Sequence, residues 1–421
     1  MKKTLIAVAA AAALTTSAFA EITFGAWLRV LAAPVASDGD ETVTAMSNSW
    51  GGGGARVARL NVNAVAEDGN AGFDMGIYND LNDGLSTGDQ WSLWTKPVEQ
   101  VKLSFGKYDN NTLRGDLCYG SWNWLRPDAW YVGDEGLLMS GNGGKGALIE
   151  VTPMEGLYIQ ALIPIDAKKQ KAEDVYKNAR GGFAYNIDGV GKIKGQVILN
   201  NTPEKAAVAE EKGAYVGTEG TVTPFDDGDT LPTGAVVIKK AVKAAAASDS
   251  VLDKTFEAEF DLTSVENLWL GVGFQMKMID KLDDRADQYA KTKMKIALGA
   301  SYQVNDDLKV SASGAYLTAQ KGKSKGGHDG VFQLGAGVDY NLGEGMSLAA
   351  DVRYKSMVND VDNTDHLAFL AGVTKGISSN GYVGVGFQAQ TNSGTFANIE
   401  GYDKKDDKLT WAIPVAMSVW F

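Results

Sequence analysis

Hydrophobic residues recur along this chain at every second position. Ile22, Phe24, Ala26, Leu28 and Val30 share one face of an extended segment, and Thr23, Gly25, Trp27 and Arg29 share the other. Ala58, Leu60, Val62 and Ala64 alternate with Arg59, Asn61 and Asn63. After Glu67-Asp68-Gly69-Asn70 the alternation returns with Ala71, Phe73, Met75 and Ile77. A period of two marks a strand with one apolar and one polar face, and Asp-Gly is a strong hairpin signal. The plainest hairpin runs Phe332, Leu334, Ala336, Val338, Tyr340 and Leu342, turns at Gly343-Glu344-Gly345, and returns through Met346, Leu348, Ala350, Val352 and Tyr354.

The same unit fills the chain. Short turns of Gly, Asn, Asp, Ser or Pro fall near Pro97-Val98, Pro153 to Gly156, Asp188-Gly189, Ser264 to Asn267, Asn305 to Asp307, Gly343 to Gly345 and Ser378 to Gly381. With Glu67 to Asn70 they predict eight hairpins. Adding the unpaired first and last strands gives about eighteen strands, with sixteen as the alternative, and both ends on one side. Longer polar connections are expected near 33–55, 80–88, 108–144, 165–177, 201–253, 277–290, 319–329, 356–365 and 392–407. In the longest, the Ala/Lys run from Lys239 to Ala247 is expected to form a short helix. Tyr340 and Tyr354 lie near strand ends, where aromatic girdles meet a membrane interface.

The two ends narrow the setting. Lys2 and Lys3, the apolar stretch Leu5 to Leu14 and Ala18-Phe19-Ala20 form an export signal with cleavage after Ala20. Beyond it no apolar run approaches the ~18 residues of a membrane helix. Read backwards from the C-terminus, Phe421, Val419, Met417, Val415, Ile413 and Trp411 alternate with Trp420, Ser418, Ala416, Pro414, Ala412 and Thr410. Trp411 to Phe421, taken with the export signal, resembles the terminal strand of bacterial outer-membrane β-barrels. That resemblance implies that Phe421 is part of an insertion signal read by the barrel-assembly machinery. The segment EITFGAWLRV, Glu21 to Val30, also looks like spirochaete porin-like proteins.

The expected fold class is therefore all-β: a transmembrane antiparallel β-barrel with short periplasmic turns and long extracellular loops. Residues 1–20 are the signal peptide and 21–421 a single outer-membrane β-barrel. In lipid every backbone N–H and C=O must be paired, so only helices and closed sheets span. Half of each strand is free to be polar because it faces a water-filled interior. Composition agrees. The chain has 421 residues, 50 Gly, 9 Pro and one Cys, Cys118, so disulfide scaffolds and Cys-rich zinc domains are excluded. A net charge of −12 argues against nucleic-acid binding.

Alternation also assigns charges to the interior. Arg29, Arg59, Lys102, Arg180, Lys192, Lys194, Lys277, Lys293, Lys295, Lys309, Arg353 and Lys355 point inward, against Asp74, Glu150, Glu257, Glu259, Asp261, Asp339 and Asp351. The basic excess predicts a mild anion preference; acidic clusters such as Asp226 to Asp229 and Asp403 to Asp407 act against it. The connection 108–144 carries Arg114, Asp116, Trp122, Trp124, Arg126 and Trp130. It is rich in aromatics for an aqueous loop and looks like the third extracellular loop of porins, which folds into the barrel and narrows it. A packed aromatic cluster or an extra stretch of wall is the other reading.

Nothing points to catalysis. His328 and His366 are the only histidines, and no HExxH, GxSxG or phosphate-loop motif occurs. Gly51 to Gly54 lacks the strand–helix context of a phosphate loop, and Asp226 to Asp229 lacks EF-hand spacing. Not an enzyme, no cofactor and no metal are expected. The reading is an outer-membrane porin for passive diffusion of small hydrophilic solutes and ions, in contact with outer-membrane lipid, with a homotrimer among its assemblies. The alternative is a structural or adhesive barrel whose loops bind host or neighbouring surfaces.

Overall fold

A computed structural model describes residues 20–37, 39–47, 58–80, 84–108, 113–116, 137–140, 143–165, 171–202, 212–216, 221–225, 230–234, 236–240, 251–279, 292–318, 330–356, 365–392 and 409–421. The first strands are β1 (Ala20–Ser37), β2 (Thr42–Ser47), β3 (Ala58–Ala66), β4 (Ala71–Asp80), β5 (Gly84–Val98), β6 (Val101–Tyr108), β7 (Gly144–Met154) and β8 (Leu157–Ile163). A one-turn helix α1 (Ala172–Tyr176) precedes β9 (Arg180–Ile187) and β10 (Gly191–Thr202). Three short strands follow: β11 (Gly213–Val216), β12 (Val222–Phe225) and β13 (Val236–Lys239). The remainder are β14 (Val251–Leu262), β15 (Leu268–Ile279), β16 (Thr292–Gln303), β17 (Leu308–Leu317), β18 (Val331–Gly343), β19 (Met346–Lys355), β20 (His366–Ser378), β21 (Gly381–Thr391) and β22 (Leu409–Trp420).

From β3 to β10 and from β14 to β22 each strand pairs antiparallel with the next, and β10 pairs with β14 across the excursion of β11–β13. Closure is made by β1. Its first half pairs with β3 (Ala20↔Ala66 to Leu28↔Ala58) and its second half with β2 (Leu31↔Ser47 to Ser37↔Thr42). Its other edge pairs with β22 from Trp27↔Trp420 to Ser37↔Trp411. β2 and β3 thus form one stave in two pieces, and the barrel has 18 strands. A register shift between Ala32 and Val35 marks a bulge that inverts the facing of β1. Leu28 is exposed on the outer face before it, and Val35 after it.

All eight short hairpin turns are present, at 67–70, 99–100, 155–156, 188–190, 263–267, 304–307, 344–345 and 379–380. Their residues suit the backbone they adopt: Gly345 has φ +73° and Asn267 φ +63°, in the left-handed region that Gly and Asn tolerate best. Both ends of the barrel lie at this short-turn end. Phe421 extends the last ladder, donating its N–H to the Ala26 carbonyl at 2.8 Å and accepting from the Ala26 N–H at 3.0 Å.

The long connections differ from expectation in four places. Residues 33–55 are largely strand, because β1 continues to Ser37 and β2 follows. The 80–88 connection shrinks to 81–83, because the β4–β5 pairing runs on to Asp80↔Gly84. The 165–177 connection holds α1. Within 201–253, β11 pairs with both β12 and β13 as a separate sheet. Lys239 ends β13, and the rest of the expected helix, beyond Lys240, lies outside the described residues.

The alternation sorts the barrel into two surfaces. Outward positions carry Phe24, Leu93, Phe105, Leu298, Leu334 and Val385, all exposed. Exposed apolar surface on this scale, continuous around a closed sheet, has lipid as its counterpart. Outward aromatics flank it: Tyr302 and Tyr340 near the short turns, and Tyr316, Phe332 and Tyr354 near the loops. Phe332 and Tyr354 pack with ring centroids 5.9 Å apart. Inward positions are polar or small, with a few buried apolar clusters such as Leu31, Ala349, Leu370 and Ala416.

Candidate functional site: the inner wall and the root of the 108–144 connection

The inward charges form local pairs. Lys102 lies 3.9 Å from Glu150 and 4.9 Å from the Trp94 ring, while the Tyr158 hydroxyl donates to Glu150 at 2.7 Å. Lys309 pairs with Asp339 at 3.7 Å and Arg353 with Asp351 at 3.0 Å. Arg29 stacks 4.1 Å over Trp27, Arg59 donates to Gln90 at 3.0 Å, and Arg180 donates to the Gly143 carbonyl at 2.6 Å. Asp74 faces inward on β4 opposite Asn63 and Ser92, and Lys355 sits opposite Gln333 and His366. Lys293 lies in β16, with its side chain outside the described set. Asp253, at the end of an expected connection, is an inward residue of β14 paired with Lys277 at 3.4 Å.

A second group gathers on β10, β14, β15 and β16. Two pieces of the 108–144 connection, residues 113–116 and 137–140, lie against these strands from inside. They bond to each other: the Gly115 N–H donates to the Met139 carbonyl at 3.0 Å, and the Leu138 N–H to Asp116 at 2.9 Å. Leu113, Leu138 and Met139 are 0% exposed. Glycines make room for this root. A Cβ on Gly273 would run into the Leu138 carbonyl, and one on Gly115 into the Met139 backbone. Gly in a strand interior often marks such a close approach.

The wall holds this root chiefly by its backbone. Glu259 accepts from the Asp116 N–H at 3.1 Å, and Glu257 from the Ser140 N–H at 3.2 Å and from the Ser140 hydroxyl. The Lys194 ammonium donates to the Arg114 carbonyl at 3.1 Å, Gln196 to the Ser140 carbonyl at 3.1 Å, and Lys295 to the Leu137 carbonyl at 3.4 Å. Gln196 and Gln275 also donate to Glu257. Every orphan backbone group of a loop taken into an enclosed site needs a partner of this kind.

At the centre, Lys194 reaches Glu259 at 2.6 Å, Asp116 at 3.1 Å and Asp261 at 4.0 Å. Lys194, Glu259 and Asp261 are all under 4% exposed. Asp116, Glu259 and Asp261 also lie close enough to share a metal ion, but the ammonium of Lys194 already stands among them as their cation. Burial pushes the Asp116 carboxyl up, yet Lys194 and its hydrogen bond, with Lys192, outweigh this and the net shift is downward. Of the six residues assigned to a constricting loop, Arg114 and Asp116 belong to this root. Trp122, Trp124, Arg126 and Trp130 lie outside the described residues, as do Cys118, Gly51 to Gly54, Asp226 to Asp229, Asp403 to Asp407 and His328.

A closed antiparallel sheet with an apolar outer belt, two aromatic girdles and a charged inner wall has one setting that satisfies both surfaces. The chain is a membrane-spanning β-barrel of 18 strands. No known family model and no curated protein matches the chain by sequence. Among solved structures, the barrel is similar to OmpT of Vibrio cholerae, at 13% identity and a TM-score of 0.48, over 96% of this chain and 98% of that one. It is similar to the anion-selective porin from Comamonas acidovorans at 11% identity and 0.45, over 96% and 100%. It is also similar to OprD from Pseudomonas aeruginosa at 10% and 0.48, over 95% and 93%.

The buried His366 of the barrel bonds through Nε2 to Gln390 Oε1 at 2.9 Å. The contacts of Glu257, Gln196 and Gln275 are not legible in the sequence, because nothing in a strand's alternation names the backbone that will dock on it. The inward glycines Gly271 and Gly273, two successive lumen positions without side chains, were the available signal.

Proposed function

We propose that this barrel is a passive diffusion pore of the outer membrane for small hydrophilic solutes and ions, narrowed by the 108–144 connection. The observation that carries the reading is the docked root: 113–116 and 137–140 lie inside the barrel on a charged and polar wall. A barrel serving only as a scaffold has no need of a polar lumen entered by one of its own connections. The excess of inward base, offset in part by Asp253 and Asp116, favours a mild anion preference. Phe421 serves in insertion, and a homotrimer is the assembly to be sought by cross-linking in native membranes.

Single-channel recording of the refolded full chain tests this reading. Stable ohmic conductance is expected, with reversal potentials in a salt gradient displaced toward anions. Clear cation selectivity would overturn the anion preference. Deleting 120–133 is expected to raise conductance; an unchanged value would reject narrowing by the connection. One feature favours an added role in surface binding. Val222, Val236, Val237 and Ile238 are exposed on the small β11–β13 sheet, outside the barrel ladder. Competition by a 213–239 peptide for attachment of expressing cells checks it.

A further inference from the structure

The 108–144 connection leaves β6 one residue after Lys107 and returns to β7 one residue before Lys145, and these two lysines are cross-strand partners. Both point outward. Tyr108 and Gly144 beside them face the lumen: the Tyr108 ring is buried with Leu148 and Leu162, and its hydroxyl donates to the Gly146 carbonyl at 3.1 Å. Parity then places Lys107 on the outer face with Phe105, 59% exposed, and Lys145 there with Ala147. Next to Lys107 on the same face lies Trp91 of β5, 49% exposed.

A lysine on the lipid face is costly unless its ammonium reaches the interface. Met154, at the short-turn end of β7, lies nine positions after Lys145. At about 3.3 Å per residue and a tilt of about 40°, that is a rise of about 23 Å, close to the full height of about 25 Å of an apolar belt. The pair therefore stands at the loop-side edge of the belt, level with lipid headgroups, with an indole beside it of the kind that marks membrane interfaces. Two like charges directly opposite on one face repel. A dianion between the two ammoniums turns that repulsion into attraction. Each ammonium carries three N–H donors, so contacts within the chain leave donors for it.

We propose that Lys107 and Lys145 clasp the phosphate monoester of a lipid in the loop-side leaflet, whose acyl chains lie along Phe105 and the apolar positions below it. A monoester dianion balances both charges; a phosphodiester balances one, and a zwitterionic headgroup neither. Bound there, the lipid ties the two ends of the 108–144 connection together from outside, as Tyr108 and Arg180 hold them from within through the Gly146 and Gly143 carbonyls. The inference rests on the reading of the chain as an outer-membrane pore narrowed by this connection.

The test uses the full chain refolded and stripped of lipid in detergent. Dioleoyl phosphatidic acid, phosphatidylglycerol and phosphatidylcholine are offered in equal amounts, and retained lipid is counted by native mass spectrometry. Phosphatidic acid is expected to be retained over the other two. Lys107→Gln and Lys145→Gln should each weaken its retention about threefold, and the double variant about tenfold. Lys254→Gln, at a lysine sharing the outward face of β14 with Phe256 and remote from the neck, is expected to change nothing. Excess inorganic phosphate should displace little of the lipid; ready displacement would assign the pair to free phosphate and overturn the lipid clasp. Equal retention of phosphatidic acid and phosphatidylglycerol, or retention unmoved in the double variant, by a protein that conducts in bilayers would overturn the clasp and leave the pore intact. Lysine-dependent retention by a protein that does not conduct would leave the clasp and overturn the pore. In bilayers, phosphatidic acid should lower the open-channel noise of wild type and not of the double variant; equal noise would overturn the tie to the connection.

Discussion

Replacing Lys194 by Met removes the cation at the centre of the docked root and keeps most of the side-chain volume. The ammonium serves three carboxylates, at 2.6, 3.1 and 4.0 Å, and the Arg114 carbonyl at 3.1 Å. Without it the carboxyl groups of Glu259 and Asp261, 1% and 3% exposed, lose their cation in a buried site shared with Asp116. Breaking a buried pair from one side costs about 3–5 kcal/mol. The strand ladders do not depend on this contact, so the penalty falls on docking of 113–116 and 137–140 and leaves the barrel closed. At about 1.4 kcal/mol per tenfold, the ratio of docked to released root drops by about two to three and a half powers of ten. Limited trypsinolysis at Arg114, half-buried when docked, reads this directly in detergent, and channel recording reads it as added open-channel noise. The double variant Lys194→Met/Glu259→Gln removes one charge of each sign and should recover part of the loss. Equal cleavage of wild type and Lys194→Met, or a double variant worse than the sum of the singles, would refute the reasoning.

Gly273→Val places side-chain atoms where the Leu138 carbonyl lies, so it should release the same root with the barrel still resistant to protease. Leu298→Arg, outward at mid-strand and 51% exposed, should destabilise the membrane-inserted barrel by about 2–4 kcal/mol in urea titrations in lipid, while Ser301→Arg, three residues on and inward, should cost little. Phe421→Ala loses an 81% exposed ring but keeps the backbone bonds to Ala26. It should refold as well as wild type in detergent yet accumulate less in the outer membrane of cells.

Much of the barrel was legible because two local rules coincide along the whole chain. Facing alternates with residue parity, and turns such as 67–70 and 343–345 require Gly, Asn or Asp. That is why Lys194, Glu259 and Arg353 could be placed inward before any pairing was known. The rules fail where parity is broken or strands are too short to show it. The bulge at Ala32–Val35 reverses facing within β1 and blurs its end. β12 is four residues long with Pro224 inside it, too brief for a period to register. The root of the 108–144 connection was legible only in part. Its aromatic content draws attention to the segment, but Leu113 and Met139 are fixed by packing on Tyr158 of β8 and Ala184 of β9, and Leu138 by Trp269 of β15 and Ala297 of β16, all distant in sequence.

The way the root is held has a bearing on how this protein can change over time. Glu257, Glu259, Lys194, Gln196 and Lys295 grip main-chain N–H and C=O groups at 114, 116, 137 and 140, which any amino acid but proline supplies. The anchorage is therefore blind to much of what the segment spells. Mutations between the two anchors can alter what the lumen meets without undoing the mooring, so the barrel works as a fixed handle for an exchangeable bit.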